Sequence, residues 1–297
     1  MHRYILHNED VVESTERCLS PGQVGLLNGW GVFSTLRVID GVIFSFEKHW
    51  ERMRRDAVRF RVPFPSDPRE LFEPLRRLVQ ANQAWDATLR VAIVRNRGGL
   101  WEGPGIDRDF DIIAFTTDPK PWPEAVRLGV VHRARYAAWP FAGTKILSWC
   151  HNLTWLEEAE CRGLDEVILL NEHGLVSECT SANVFISKGH QVWTPPLSSG
   201  CLPGITREIL LNEIHIPSFE VAEKDLSLQD LEQADEVFIT STTRGLLPVA
   251  SIEGLNIRRE GRALEPLRQA YEQYVRDYVA RAKAEGKSCR PVSMPAT

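Results

Sequence analysis

A lysine amine can form a Schiff base with a carbonyl, and the sequence offers only seven lysines for this chemistry. Lys145 differs from the others because it follows a Gly-Thr turn and precedes the apolar segment 146–149, a setting that favours the neutral, nucleophilic amine. The other six lie in charged or turn segments and are predicted to be solvated: Lys48, Lys120, Lys188, Lys224, Lys283 and Lys287. The residues alone leave a second interpretation of Lys145 open, a strand-end lysine whose charged end reaches solvent.

Two loops in the second half of the sequence have the composition of anion-binding turns. In residues 198–208, a polar loop leads to Thr206 at the start of an amphipathic helix, where backbone N–H groups and the helix dipole favour a phosphate. Residues 241–245, Ser-Thr-Thr-Arg-Gly, follow an apolar strand and offer further donors. A Pro-Gly turn with a threonine cap would explain the first loop without a ligand, so the residues alone allow either interpretation.

Composition and charge exclude several function classes. Among 297 residues, 35 Lys and Arg against 40 Asp and Glu give a net charge of −5, and 43% hydrophobic residues are typical of a folded chain. The negative charge and a single Arg-Gly loop at 95–99 argue against nucleic-acid binding. No apolar stretch approaches roughly 18 residues, and early charges interrupt any secretory signal. We therefore expect a cytoplasmic protein that binds neither nucleic acids nor membranes.

Common catalytic and metal motifs are absent from the sequence. It contains no G-x-S-x-G, P-loop or H-E-x-x-H pattern, and Ser34 occupies the third glycine position of a dinucleotide fingerprint that would begin at Gly29. The six cysteines are irregularly spaced without a C-x-x-C pair, and the eight histidines have no ligand spacing. We expect reduced thiols and no metal site.

Hydrophobic periodicity in the first part of the chain predicts a mixture of strands and helices. Residues 38–44 are two apolar runs around Asp40-Gly41 and predict a hairpin. Residues 46–61 and 69–82 are predicted helices, and 88–95 and 111–116 are predicted strands. Three prolines within 118–123 indicate an extended connector, so the small N-terminal domain is predicted to cover residues 1–117.

The second part is predicted to form a larger domain over residues 124–286, followed by a disordered tail at 287–297. Four short apolar runs separated by turns indicate an antiparallel meander, at 166–170, 174–178, 183–187 and 191–194. Further strands are predicted at 126–134 and 236–240, and helices at 153–162, 205–214 and 264–284.

The sequence resembles the fold type IV, or class IV, aminotransferases, which use pyridoxal 5′-phosphate. The resemblance covers nearly the whole chain up to about residue 286, and it includes segments 29–37, 46–53 and 238–243. Its most specific parts are Gly174–Phe185, GLVSECTSANVF, and Leu202–Arg207, LPGITR. It implies an α/β (α+β) fold of two domains, the larger containing a barrel-like antiparallel sheet, with the cofactor in the cleft between them and the chain assembled as a homodimer.

The resemblance also assigns roles to individual residues. Lys145 matches the lysine that forms the Schiff base with pyridoxal phosphate and then acts as general base, and Glu178 matches the carboxylate paired with the pyridine nitrogen. Leu202 matches the residue packed on the cofactor ring. The matches to phosphate-binding positions are Arg52, Gly204, Ile205, Thr206, Ser241 and Thr242.

Substrate choice is the least determined prediction. Arg37 and Arg90 are the candidate carboxylate ligands, and transamination between an aliphatic or branched-chain L-amino acid and 2-oxoglutarate is expected. The loop at 98–102 lacks the arginine and histidine of D-amino acid enzymes, whereas Cys150 and Thr88 occupy positions where branched-chain enzymes often have tyrosine. The alternatives are aminodeoxychorismate lyase, a D-amino acid or R-amine aminotransferase, and a cofactor-binding protein without turnover.

Overall fold

The proline-rich connector contains the boundary between two units of the chain, at Lys120–Pro121. In the computed structural model, residues 1–99, 102–103 and 106–290 are described. Unit 1 contains the chain up to Lys120, the segment Lys145–Ser148 and the described residues from Val275 onward, whereas unit 2 contains Pro121–Thr144 and Trp149–Tyr274. The assignment of 145–148 to unit 1 differs from the predicted second domain at 124–286, because Ile146 forms an isolated β-bridge with Val32.

Unit 1 is built around a six-stranded sheet in which every pairing is antiparallel, in the order β2-β1-β6-β5-β3-β4. Its elements up to the connector are β1 (Tyr4–His7), β2 (Asp10–Glu13), α1 (Val24–Asn28), β3 (Gly31–Ile39), β4 (Val42–Ile43), α2 (Phe46–Phe60), α3 (Pro68–Ala81), β5 (Ala87–Arg95) and β6 (Phe110–Thr117). The predicted 38–44 hairpin forms between β3 and β4, where Asp40 and Gly41 have φ of 48° and 77°. An Asp-Gly turn suits these left-handed conformations.

One face of this sheet packs on the two long helices. Trp50, Met53 and Ala57 recur along α2 and are all buried, as their spacing predicts. Leu71, Leu75 and Leu78 of α3 join them in the same core. The alternation of β3 places Ser34 and Leu36 on this face and Phe33, Thr35 and Arg37 on the other. Arg37, the predicted site residue of β3, therefore lies on the face away from the helical core.

Unit 2 contains an eight-stranded mixed sheet in the order β12-β11-β10-β13-β14-β7-β8-β9. Its elements are β7 (Val126–Val131), α4 (Cys150–Cys161), β8 (Glu166–Leu170), β9 (Val176–Cys179), β10 (Asn183–Lys188), β11 (Gln191–Thr194), α5 (Ile205–Asn212), β12 (Glu220–Glu223), α6 (Leu228–Gln233), β13 (Glu236–Ser241), β14 (Gly245–Ile252) and α7 (Leu264–Ala284), of which α7 continues into unit 1.

The sheet of unit 2 differs from a simple antiparallel meander. β8 pairs with β9 and β10 pairs with β11, both antiparallel, but β9 ends one side of the strand order while β10 pairs with β13. β7 pairs with β8 in parallel because the chain between them crosses over through α4. β9 nevertheless contacts β10, and the sheet curls into the predicted barrel-like form.

The end of the described chain is ordered further than the tail prediction suggests. Cys289 is fully buried, and its N–H donates to the carbonyl of Gly41 at 2.6 Å. Lys283 and Arg290 both pair with Asp40. Residues 287–290, which were predicted to be disordered, instead pack on the β3–β4 hairpin. The rest of the predicted tail, 291–297, lies outside the described residues. All six cysteines are free thiols. Within the described ranges, no helix has the length and apolarity needed to cross a bilayer.

Candidate active site

Lys145 lies in a short segment that runs along β3 in unit 1. The Phe33 N–H donates to the Lys145 carbonyl at 3.0 Å, and the Leu147 N–H donates to the Gly31 carbonyl at 3.0 Å. The Lys145 N–H donates to Asp56 Oδ2 at 3.0 Å, and Asp56 is buried. The backbone of Lys145 is therefore fixed on both sides, while the residue itself is half-buried.

Two cations contact the same aromatic ring. Lys145 Nζ lies 4.7 Å from the ring centroid of Phe33, and the Arg90 guanidinium carbon lies 4.1 Å from it. Burial lowers the pKa of Arg90, although a guanidinium remains charged at neutral pH. The structure therefore brings the predicted Schiff-base lysine and one predicted carboxylate ligand together around Phe33.

Arg37, the other predicted carboxylate ligand, has a different setting. Arg90 is opposite Thr35 in the register of β3 and β5. Arg37 is opposite Thr88, two residues from Arg90 along β5 and on the same sheet face. Arg37 Nη2 lies 2.6 Å from Asp86 Oδ1, and the Asp86 side chain is largely exposed. Arg37 is thus engaged in an ion pair with an exposed carboxylate.

Arg52 is buried, in contrast to the solvated appearance of its basic stripe. Its Nη2 donates to Ser34 Oγ at 2.9 Å, and Ser34 Oγ lies 2.7 Å from His49 Nδ1. Ser34 Oγ accepts from the arginine and is within hydrogen-bonding distance of His49 Nδ1, where either the hydroxyl or the ring nitrogen can be the donor. Burial, together with the charges of Arg52 and Lys145, holds the pKa of His49 well below its ordinary value. A neutral histidine and a serine therefore hold the Arg52 side chain in place.

Glu178 lies in β9 of unit 2 and accepts two hydrogen bonds. Arg135 Nε donates to its Oε1 at 3.0 Å, and the Leu202 N–H donates to its Oε2 at 3.0 Å. Arg135 also donates to Asn152 Oδ1 at 2.8 Å, and both charged side chains are 12% exposed. The predicted ring-nitrogen carboxylate and the predicted ring-packing residue are therefore neighbours.

The first turn of α5 has the geometry of an anion site. Gly204 is the N-cap residue, and no side chain caps the helix. A Cβ at Gly204 would clash with Asn183 Oδ1, so a side chain there would displace the Asn183 amide, whose Nδ2 donates to the Leu202 carbonyl at 2.8 Å. Ile205 and Thr206 follow and are buried, with Thr206 Oγ1 3.3 Å from Tyr271 Oη. The uncapped N–H groups and the threonine hydroxyl suit a phosphate.

The turn after β13 supplies the second set of donors in unit 2. Ser241 Oγ lies 3.4 Å from Thr243 Oγ1 and accepts from the Arg244 N–H at 3.2 Å. Thr242 is half-buried beside them, and α5 packs against β13. Hydroxyl and backbone donors at two neighbouring elements fit a phosphate ester, and Lys145 and Glu178 fit the aldehyde and pyridine nitrogen of pyridoxal phosphate. Within the described residues, no group of three or more His, Cys, Asp or Glu side chains could hold a metal ion.

Three residues of these networks were missed in the sequence. Arg135 follows a turn and Arg244 lies in one, so both look like solvated arginines in the sequence, and only their burial in the fold reveals otherwise. Ser34 was considered only as a failed dinucleotide motif, although its position in β3, alternating with buried apolar residues, already indicated an inward-facing hydroxyl.

Comparisons with known proteins identify the family of the chain. Residues 31–252 match the model of the family described as amino-transferase class IV. The chain is 30% identical to the branched-chain-amino-acid aminotransferase of Salmonella typhimurium over 273 residues, or 87% of each chain. It is 30% identical to the D-alanine aminotransferase of Bacillus licheniformis over 254 residues, or 85% of this chain and 89% of that one.

A solved structure gives the same result at the level of the fold. The branched-chain amino acid aminotransferase of Escherichia coli superimposes with a TM-score of 0.83 at 27% identity, covering 93% of this chain and 95% of that one. The predicted fold and enzyme class are confirmed, as is the cofactor, since class IV aminotransferases use pyridoxal phosphate. With three quarters of its length matched by the family and this site chemistry, the chain belongs to the class IV aminotransferases.

Proposed function

We propose that this protein transfers an amino group between an aliphatic, branched-chain L-amino acid and 2-oxoglutarate. The observation that carries the proposal is that the Lys145 amine and the Arg90 guanidinium contact the same ring, that of Phe33. An amine that can act as nucleophile beside a guanidinium that can bind a carboxylate suits a dicarboxylic oxo acid such as 2-oxoglutarate. The branched-chain relatives support the choice of substrate.

Different residues of the chain would bind different parts of pyridoxal phosphate. Lys145 would hold its aldehyde carbon covalently, Glu178 would pair with its ring nitrogen, and Leu202 would pack on its ring. The phosphate ligands would be Arg52, the first turn of α5 with Gly204, Ile205 and Thr206, and the Ser241-Thr242 turn. When bound, the cofactor supplies an electron sink for the charge released at the substrate Cα.

Lys145 carries the proton transfer in this proposal. Its amine would be the general base that removes the proton from the substrate Cα. The backbone bonds of Lys145 to Asp56 and Phe33 fix where the side chain starts, which limits the positions that Nζ can reach. One side chain thus serves in both attachment and proton transfer.

Arg90 and Arg37 have unequal parts in substrate binding. We propose that Arg90 receives the second carboxylate of 2-oxoglutarate, because it lies on the ring that Lys145 contacts. Asp86 already pairs with Arg37 and would compete with a substrate carboxylate, so the contribution of Arg37 is smaller. An aliphatic side chain forms no ion pair with the second cation. Loss of Arg90 is therefore predicted to weaken binding of 2-oxoglutarate more than binding of the aliphatic amino acid.

Titration of the purified holoenzyme with candidate donors tests the function. Loss of the aldehyde-form absorbance with L-leucine or L-valine, followed by its return with 2-oxoglutarate, is the expected result. The D-alanine relative has the same identity as the branched-chain one, so D-alanine belongs in the panel. The loop at 98–102 that argues against D-specificity includes residues outside the described ranges.

Two outcomes would replace the proposal. Conversion by D-alanine but not by L-leucine would make the protein a D-amino acid aminotransferase. Release of pyruvate from aminodeoxychorismate, without glutamate formation from leucine, would make it the lyase. A protein that binds pyridoxal phosphate but shows no conversion with any donor would be a binding protein without turnover.

We also propose that the chain acts as a homodimer, as the family resemblance implies. Sedimentation equilibrium of the holoenzyme measures the assembly directly. A monomer mass at catalytic concentrations would contradict this proposal and leave the proposed reaction unaffected.

A further inference from the structure

A buried ion pair in unit 2 joins the start of β8 to the turn between β13 and β14. Arg244 Nη2 lies 3.2 Å from Glu166 Oε2, and the two side chains are 5% and 1% exposed. Glu166 begins β8, and Arg244 lies in the turn between β13 and β14. Desolvating two charges is costly unless their remaining hydrogen bonds are made, so the partners of this pair indicate what it holds in place.

The carboxylate of Glu166 fixes the turn that follows Glu178. Its Oε1 accepts from Thr180 Oγ1 at 2.6 Å and from the Thr180 N–H at 3.2 Å, and its Oε2 accepts from Ser181 Oγ at 2.9 Å. Thr180 and Ser181 come two and three residues after Glu178. Glu166 therefore determines how the end of β9 leaves the sheet.

The guanidinium of Arg244 fixes the turn that contains Ser241 and Thr242. Its Nη1 donates to the Ser181 carbonyl and its Nη2 to Ser181 Oγ, at 2.8 and 2.9 Å, while its own N–H donates to Ser241 Oγ at 3.2 Å. Trp122 covers this turn, with its ring 4.1 Å from the guanidinium and its Nε1 donating to the Thr243 carbonyl at 3.2 Å.

We propose that Arg244 and Glu166 are positioning residues that hold the Ser241-Thr242 turn at a fixed distance from the end of β9. Neither is proposed to touch the cofactor. They would preorganise the hydroxyl and N–H donors for the phosphate ester relative to Glu178, so that no binding energy is used to order the turn. The proposal rests on the proposed function, because it takes the Ser241-Thr242 turn as a phosphate site.

The test measures binding of two probes to the apoprotein, pyridoxal 5′-phosphate and phosphate-free pyridoxal. Arg244→Gln is expected to raise the dissociation constant for pyridoxal 5′-phosphate by about tenfold or more, since small displacements of positioned donors have effects of this size. The dissociation constant for pyridoxal should change much less. A purely structural role would weaken both probes equally or neither.

Further variants keep the test independent of folding defects. Ser181→Ala removes a hydroxyl that contacts both charged groups, and Arg244→Lys retains the charge but not the two-point contact; both should lower the phosphate preference less than Arg244→Gln. Arg162→Gln is the control, because its pair with Glu253 at 3.0 Å in the same unit is partly exposed. Thermal unfolding of each apoprotein identifies a variant that does not fold.

A double-mutant cycle with Thr242→Ala identifies the route of the effect. If Arg244 acts through the turn, the two substitutions together should weaken pyridoxal 5′-phosphate by clearly less than the product of their separate effects. Effects that multiply fully, or an Arg244→Gln variant that binds both probes like Arg162→Gln, would overturn the inference while the proposed function stands. A parent protein that does not prefer pyridoxal 5′-phosphate over pyridoxal would overturn both.

Discussion

Two histidines, one in each unit, are surrounded by different sets of charges that shift their pKa values. His49 in unit 1 is buried, and the charges of Arg52 and Lys145 both push its pKa down. His151 in unit 2 also has a lowered pKa, from burial and from Arg135, but Glu178 acts in the opposite direction. The residues around His49 therefore create a positive region, whereas the charges near His151 compensate one another.

The residues around His49 and the paired charges of unit 2 are therefore expected to have different roles. A positive region suits the binding of anionic groups and the use of an amine as nucleophile. Compensated pairs such as Arg135 with Glu178, and Arg244 with Glu166, contribute mainly through fixed geometry. Substitutions of Lys145 and Arg90 in unit 1 should therefore change the reaction and substrate binding, whereas substitutions in the compensated pairs of unit 2 should change how the cofactor is held and its ring nitrogen is charged.

The largest effect is expected from removing the reactive amine of the positive region. Lys145→Ala should lower amino transfer by at least about 10³-fold, because both attachment and proton transfer are lost. Mass spectrometry after borohydride reduction should find no cofactor adduct on the variant. Lys188→Ala, an exposed lysine at the end of β10, serves as the control. An adduct on another lysine in the Lys145→Ala protein would disprove the assignment.

Removing the charge from a compensated pair should have a smaller effect. Glu178→Gln keeps an oxygen for the Leu202 N–H but loses the charge opposite Arg135, so we expect the cofactor to remain bound and proton removal to slow by about 10²-fold. Single-turnover rates with leucine measure this step. Glu172→Gln, in the Asn171–Gly174 turn, is the matched control. Equal single-turnover rates in the variant and the parent would end the proposed role of Glu178.

The two arginines of the β3–β5 face should separate the substrates. Arg90→Ala is expected to raise the KM for 2-oxoglutarate about tenfold or more, the size of one lost charged hydrogen bond, and to affect leucine less. Arg37→Ala should have the weaker effect, since Arg37 is paired with Asp86. Steady-state kinetics with both substrates gives the comparison. Equal losses for leucine and 2-oxoglutarate would mean that Arg90 binds the carboxylate common to both.

The smallest effect concerns the pH dependence of stability. Because the folded-state pKa of His49 lies below its ordinary value of 6.5, the unfolded chain takes up a proton that the folded chain does not as pH falls below 6.5. The free energy of unfolding should therefore decrease by up to about 1.4 kcal/mol per pH unit in this window. His49→Gln removes this contribution.

Urea unfolding at pH 8 and pH 5.5 measures the difference. The parent should lose more stability on acidification than His49→Gln does, and His151→Gln should resemble the parent more closely because Glu178 offsets Arg135. If His151→Gln removed more of the pH dependence than His49→Gln, the electrostatic contrast between the two histidines would be wrong.

Local hydrophobic patterns predicted most of the elements whose formation depends on residues within the element itself. The spacing of Trp50, Met53 and Ala57 predicted α2 to within one residue, and the predicted 264–284 helix has the bounds of α7. Strands β1 and β2 were not predicted: within the described residues β2 pairs only with β1, and the other partner of β1, strand β6, is more than 100 residues away in the chain. The parallel pairing of β7 with β8 was missed for the same reason, since strand order is a non-local property.

The residue pattern alone singles out one lysine in an apolar segment and two donor-rich turns, and the family resemblance adds the carboxylate of Glu178. Which of the 35 cationic residues are buried partners depends on tertiary contacts. Arg52, Arg135 and Arg244 have the same side chain as the exposed arginines, and their roles follow from the Ser34, Glu178 and Glu166 atoms that the fold brings within hydrogen-bonding distance. A side chain's chemistry is set by its own atoms, but its charge state, partners and orientation are set by neighbours that are distant in sequence, and these exist only in the folded chain.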